Sequence, residues 1–318
     1  MRRTTLGLVA TTFGAAVLAA CGVVALLAVE EPAQAAYPGE NGRIAYVFHL
    51  ENGHNEIYTM NPNGTDRKQL TDNSVYDTSP AYSPSGTKIA FASVQEGDVS
   101  KIYTMNANDG TNKRNLSGST NGKDPAYSPS GTKIAFVGQG EDEDILVMNA
   151  TDGSAKKSLT NTPPVNGYEV RERDPAYSPD GTKIVFYKES FRPHDVDLYT
   201  MNANSTRVKQ ITDYKGKEYS PDWSPSGHRI VFYRYTPTKG LRIFTIRPDG
   251  TDRQLVIQDG KDPVWSPDGR KIAFTRDGHA YTVNPDGSGV TEVPGTPKEN
   301  GLSESLPSWG PRAASTQQ

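Results

Sequence analysis

Apolar residues in this chain come in short runs, each broken within a few positions by proline, glycine or a cluster of polar side chains. Lys88-Ile89-Ala90-Phe91 is one such run, preceded by Ser83-Pro84-Ser85-Gly86 and, before that, by Pro80-Ala81-Tyr82. Runs of this length between turn residues predict β-strands: proline presets φ at the first turn position and glycine accepts the positive φ that ends it. The whole string recurs, from Pro125 to Phe136, Pro175 to Phe186, Pro221 to Phe232 and Pro263 to Phe274. Its second proline falls at 84, 129, 179, 225 and 267, spacings of 45, 50, 46 and 42 residues. A period of ~40 to 50 residues is that of a propeller blade.

Each unit carries a second apolar run: Ile57 to Asn61, Ile102 to Asn106, Ile145 to Asn149, Leu198 to Asn202, Ile243 to Arg247 and Ala280 to Asn284. A turn with Gly or Asp follows, then a polar segment that ends, in four of the units, in Leu70-Thr71, Leu116-Ser117, Leu159-Thr160 or Ile211-Thr212. The expected unit is therefore a four-stranded antiparallel sheet whose second strand is apolar on both faces, because neighbouring blades cover both. The first unit starts at Gly42-Arg43-Ile44-Ala45-Tyr46, which aligns with a second strand, and lacks a first. Leu306-Pro307-Ser308-Trp309-Gly310-Pro311 matches Asp262 to Pro267 and has no second strand after it. A C-terminal inner strand that completes the N-terminal blade resolves both irregularities. The prediction is an all-β, six-bladed propeller over residues 36–311, with repeats near 42–77, 78–123, 124–173, 174–219, 220–261 and 262–305, a closing strand at 306–311 and a disordered tail at 312–318. Thirty glycines, 23 prolines and 16 tyrosines suit such a turn-rich β protein.

The recurring Pro-Ala-(Tyr/Trp)-Ser-Pro-(Ser/Asp)-Gly-x-(Lys/Arg)-Ile-(Ala/Val)-Phe string, with its later Tyr-x-Met-Asn, resembles the WD40-like repeat of the TolB propeller family across roughly residues 42 to 311. The resemblance implies the propeller fold and binding of a protein or peptide. The α/β domain that precedes the propeller in TolB has no counterpart between residues 36 and 42, so contacts made through it are not carried over. Fold likeness alone does not establish function.

The first 35 residues read as an export segment or membrane anchor. Arg2 and Arg3 precede an uncharged apolar stretch of 24 residues, Leu6 to Val29, and Glu30 to Ala35 form a polar segment ending in small residues. Cleavage after Ala33-Gln34-Ala35 would release a soluble protein. Cleavage before Cys21, in a string that resembles a bacterial lipobox, would give a lipid-anchored one, and an uncleaved segment is long enough to span a bilayer. Cys21 also reads as an ordinary small apolar residue of a signal helix. It is the single cysteine, which leaves the folded part without a disulfide or a thiolate metal site. Two Arg and two Glu leave with this segment, so the net charge stays at −3 and no polyanion-binding surface is indicated. Nucleic acid is excluded as a partner class on that ground. The expected location is outside the membrane, extracellular, periplasmic or on its outer face, and the expected state is a monomer.

Chemistry is sparse. Propeller sites lie where the loops before the innermost strands converge, and the residue before each repeated proline is Ser79, Asp124, Asp174, Ser220, Asp262 or Leu306. Three carboxylates and two hydroxyls there could converge on a cation, for which oxygen ligands suit Ca²⁺, or on a basic peptide end. The reading favoured, because three of the six positions lack charge, is that Asp before Pro starts a turn. Glu141-Asp142-Glu143-Asp144 reads as a solvated hairpin. The histidines fall at unrelated repeat positions with no metal-binding spacing, and no Gly-x-Ser-x-Gly occurs. Tyr82, Tyr127, Tyr177, Trp223, Trp265 and Trp309 share one repeat position and read as blade packing. Departures from a repeat often carry recognition, which makes Tyr168 and Arg171 in one insertion, and Phe191, Arg192 and His194 in the next, further binding candidates. The functional expectation is a noncatalytic binding module with no cofactor. Its alternative is a polysaccharide-acting lyase or hydrolase with a channel site that no linear motif reveals.

Overall fold

The computed structural model describes residues 38–50, 53–95, 97, 99–138, 143–165, 167–191, 194–294 and 308–314. The export segment with Cys21, and Leu306 in the channel series, lie outside them.

Within the first repeat are β1 (Asn41–His49), β2 (Asn55–Met60) and β3 (Lys68–Gln69). The second blade holds β4 (Tyr76–Tyr82), β5 (Lys88–Gln95), β6 (Val99–Asn106) and β7 (Arg114–Asn115). The third holds β8 (Gly122–Tyr127), β9 (Lys133–Gly138), β10 (Ile145–Asn149) and β11 (Lys157–Ser158). The fourth holds β12 (Val170–Tyr177), β13 (Lys183–Phe191), β14 (His194–Asn202) and β15 (Lys209–Gln210). The fifth holds β16 (Lys217–Trp223), β17 (Ile230–Thr236), β18 (Gly240–Ile246) and β19 (Gln254–Gln258). In the sixth are β20 (Lys261–Trp265), β21 (Ile272–Arg276), β22 (His279–Val283) and β23 (Thr291–Glu292), after which β24 (Ser308–Pro311) returns to the first blade. Strands within each blade pair antiparallel in sequence order, and one parallel contact, Val196 with Lys217, joins the fourth blade to the fifth.

β24 takes the innermost place beside β1, with Ile44 opposite Trp309 and Ala45 opposite Ser308, as the repeat pattern predicts. Arg312, one residue further, is still held: its amide donates to the Glu40 carbonyl at 2.8 Å and its guanidinium pairs with the Glu40 carboxylate at 2.9 Å.

Six apolar cores lie between blades, not within them. Ala45, Ile57 and Leu70 of the first blade pack with Tyr82, Ile89, Phe91 and Met105 of the second. On the other face of the second blade, Ala90, Ala92 and Ile102 pack with Tyr127, Ile134 and Phe136 of the third. The apolar second strand thus serves two cores at once, as its sequence requires. The ring closes where Val264, Ala273 and Val293 of the sixth blade meet Ile44, Tyr46, Met60 and Trp309 of the first. Side chains stitch the backbone within blades as well. In four blades a Thr or Ser after the outer strand accepts the amide of the third strand's first apolar residue, as Thr71 does from Ile57 at 2.8 Å and Thr212 from Leu198 at 2.8 Å.

Candidate functional site

Five inner strands break register at the same point, between Thr78 and Ala81, Lys123 and Ala126, Arg173 and Ala176, Tyr219 and Asp222, and Lys261 and Val264. Proline cannot donate to the ladder, and the residue before it takes the extra place in the bulge. That residue is Ser79, Asp124, Asp174, Ser220 or Asp262, each with φ between 49° and 52°. The left-handed region costs energy for a side chain with a Cβ, and Asp tolerates it better than most through its short polar group. Five repetitions of one bulge aim five short polar side chains at one level of the channel wall.

They bond to one another around the ring. Ser79 Oγ donates to Asp124 Oδ1 at 2.9 Å, while Ser220 Oγ lies 3.3 Å from Asp174 Oδ2 and 3.4 Å from Asp262 Oδ1. Lys261 Nζ lies 3.9 Å from Asp262 Oδ2. Asp174 is half-buried, and desolvation, followed by the charges of Asp124 and Asp262, raises its carboxyl well above the ordinary range against the opposing hydrogen bond from Ser220. Burial and the charge of Asp174 likewise raise the neighbouring Tyr187 hydroxyl.

The residues flanking this ring were not legible as a group. Glu143 binds Lys123 Nζ at 2.7 Å and also pairs with Arg173, the residues just before Asp124 and Asp174. Burial works to raise the Glu143 carboxyl, but the hydrogen bonds and charges of Lys123 and Arg173 hold it below its usual range. Asp144 accepts a hydrogen bond from Thr160 at 3.0 Å. The described half of the acidic hairpin is therefore a bracket between two blades instead of a solvated loop. Its signal was the basic residue that precedes Asp in three copies of the repeat.

Ser79, Asp124, Asp174 and Ser220 line a cavity of about 160 Å³ together with the repeated prolines and with Tyr82, Trp265 and Trp309. The aromatic side chains are buried in the six cores, as expected of packing groups, and five of the six also reach the cavity wall. Tyr82 OH, Trp265 Nε1 and Trp309 Nε1 have no hydrogen-bond partner among the described residues. Asp222 also lines the cavity, at a position where other copies carry Ala, Val or Ser. It accepts the Trp265 amide at 2.9 Å, and burial pushes its carboxyl up to about 7 against that bond. Ser308 does the same for the Tyr82 amide at 3.1 Å.

The insertion candidates form a second group, and neither Tyr168 nor Arg171 lines the cavity. Tyr168 is exposed and its backbone bridges to Val165. Arg171 reaches Glu169 at 3.4 Å and sits opposite Glu189 in the β12–β13 register, beside the β13–β14 hairpin in which Phe191 pairs with His194. The two insertions thus meet at one edge of the fourth blade, while Arg192 lies outside the described residues.

The sequence profile of the TolB β-propeller domain matches residues 33–167 and 172–313. The chain belongs to the TolB β-propeller family. Among solved structures, TolB from Acinetobacter baumannii shares 22% identity with a TM-score of 0.70, over 85% of this chain and 67% of that one. A putative TolB from Agrobacterium tumefaciens shares 19% with a TM-score of 0.61, over 80% of this chain and 89% of that one. An oligogalacturonate lyase in complex with manganese shares 14% with a TM-score of 0.55, over 81% and 76% of the two chains. These likenesses show the fold. No curated protein matches the sequence. Among the described residues of this TolB-family propeller, no three His, Cys, Asp or Glu side chains are arranged to hold a metal ion, and no helix is long and apolar enough to cross a membrane.

Proposed function

We propose that the protein is an exported binding module whose channel mouth receives a positively charged end of a protein or peptide, a lysine, an arginine or a free amino terminus. The observation that carries this reading is the ring in which Ser79, Asp124, Asp174, Ser220 and Asp262 converge, with the Asp174 carboxyl raised above its ordinary range by desolvation and by its acidic neighbours. A cation entering the ring favours the charged form of that carboxyl. Binding would lower its pKa, and the charge would be paired where water is scarce. The cavity that Ser79, Asp124, Asp174 and Ser220 line also supplies prolines and the faces of Tyr82, Trp265 and Trp309 for the rest of the chain. No histidine is among its lining residues, which supports binding over the polysaccharide-cleaving alternative.

Ca²⁺ is the competing occupant. With the three ring carboxylates not gathered into a metal-holding group, Ca²⁺ would have to take most of its ligands from Ser hydroxyls, carbonyls and water. A display library of short peptides selected on the purified propeller is expected to enrich basic side chains or free amino termini, with affinity rising as pH rises. Asp174→Asn is expected to weaken the selected peptides about tenfold. Selection without basic enrichment, or binding indifferent to Asp174→Asn, overturns the reading. Millimolar Ca²⁺ that shifts the melting temperature and displaces no peptide would place the metal elsewhere.

A further inference from the structure

Between the fourth and fifth blades, away from the channel lining, three arginines gather around two aromatic rings. Arg253 Cζ lies 3.8 Å from the centroid of Tyr214 and 5.1 Å from that of Phe244. Arg234 Cζ lies 5.3 Å from the Tyr214 centroid, and Arg242 Cζ lies 5.5 Å from that of Phe244. The guanidiniums therefore share one small area of surface. Lys215 and Lys239 are exposed in the loops that carry the same group.

Anionic compensation is thin. Arg234 Nε pairs with Glu218 Oε1 at 3.1 Å, and Glu218 is fully buried. Neither Arg242 nor Arg253 has a carboxylate partner among the described residues. Arg242 has a single long contact, to Thr236 Oγ1 at 3.4 Å, and its Nε is buried without a partner. Burial first, and then the charges of Arg253 and Arg242, pull Arg234 below the usual arginine range although Glu218 opposes them. Like charges held this close repel one another, and one carboxyl serves three of them.

The group is also built rather than loose. Gly216, at φ +139°, lets the connection after β15 lie flat on Arg234, where an added Cβ would stand 2.7 Å from Nε. The Tyr214 ring is thereby fixed as the surface on which Arg253 stacks. A stacked guanidinium keeps its N–H edge free, in the planar fork that matches a carboxylate or phosphate.

We propose that this interblade cleft is an anion-binding site, in which Arg242 and Arg253 hold an oxyanion, a carboxylate or phosphate group, beside Tyr214. It is a site separate from the channel and does not depend on the reading given for the ring.

The test uses the full chain with inorganic phosphate and with citrate, each against sodium chloride at matched ionic strength, read by calorimetry and by melting temperature. Saturable millimolar binding is expected for at least one anion, weakened about tenfold in Arg253→Gln and in Arg242→Gln and unchanged in Asp174→Asn. Response to phosphate alone marks a phosphoryl ligand, and response to citrate marks a carboxylate-bearing one. Arg253 is exposed, so Arg253→Gln is expected to keep the wild-type melting temperature in chloride and suffices if Arg242→Gln unfolds. Equal responses of wild type and Arg253→Gln, or no saturable binding, overturn the proposal and leave the arginines as covers for the aromatic surface.

Discussion

Asp174 and Asp222 are carboxyls in the cavity wall, and both sit above the ordinary carboxylate range. A raised carboxyl means that the folded state holds a proton the unfolded chain releases at lower pH. Stability from such a group is complete below the unfolded value and is lost as pH rises through the folded one. For Asp222 the interval runs from 3.8 to about 7. The melting temperature is therefore expected to fall between pH 5 and pH 8, and Asp222→Asn, which can still accept the Trp265 amide, is expected to fall less. Parallel melting curves for the two proteins across that range would refute the assignment. The ring residues were legible because they share a repeat position. Asp222 was legible only as a departure, since a lone Asp in place of Ala has no meaning until burial and the Trp265 amide are known.

Among elements, the junctions between blades concentrate the buried charge. Asp77, Glu172 and Glu218 occupy one repeat position, three residues before the proline, and each meets an acidic residue near the start of the preceding blade's third strand, Glu56, Asp144 or Asp197. In the fourth-to-fifth junction Thr212 Oγ1 lies 3.5 Å from both Asp197 Oδ1 and Glu218 Oε2. Burial, then the charge of Asp197, pushes Glu218 up to about 9, with Arg234 opposing. The raised Glu218 carboxyl stabilises this junction below its ordinary value of 4.5, and that contribution is lost as pH climbs toward 9. Glu218→Gln, similar in shape to the protonated acid, is expected to flatten the alkaline side of the stability profile in urea titrations. A slope unchanged by the substitution would refute this. The same position is Gly122 or Gly260 elsewhere, where an added Cβ would stand 2.7 Å from the Phe136 ring or 2.8 Å from that of Phe274. The repeat shows that the position varies. It does not show that the carboxyls at this position meet acidic partners, because those partners come from another blade.

At the scale of the whole molecule, closure depends on four residues. β24 supplies the inner strand of the first blade, Trp309 enters the core between the sixth blade and the first, and Gly310 passes against the face of Tyr82, where a Cβ would stand 2.5 Å from the ring. Trp309→Ala is expected to cost about 3 to 5 kcal/mol in the free energy of unfolding, the range for a large buried aromatic, while exposed Leu255→Ala is expected to change it little. Equal costs for the two would mean that the ring does not depend on its last strand. Strand number, blade length, turn chemistry and this closure were all readable from residue order. Each rests on local rules repeated several times: proline and glycine set the turns, and apolar runs set the strands. Tertiary structure alone decided that the residues before the prolines take a left-handed bulge and bond around a ring, that Glu143 braces two blades, and that Arg234, Arg242 and Arg253 share one surface. Those arrangements join residues far apart in sequence, and their energies depend on burial and on distances through space, neither of which is a property of neighbours along the chain.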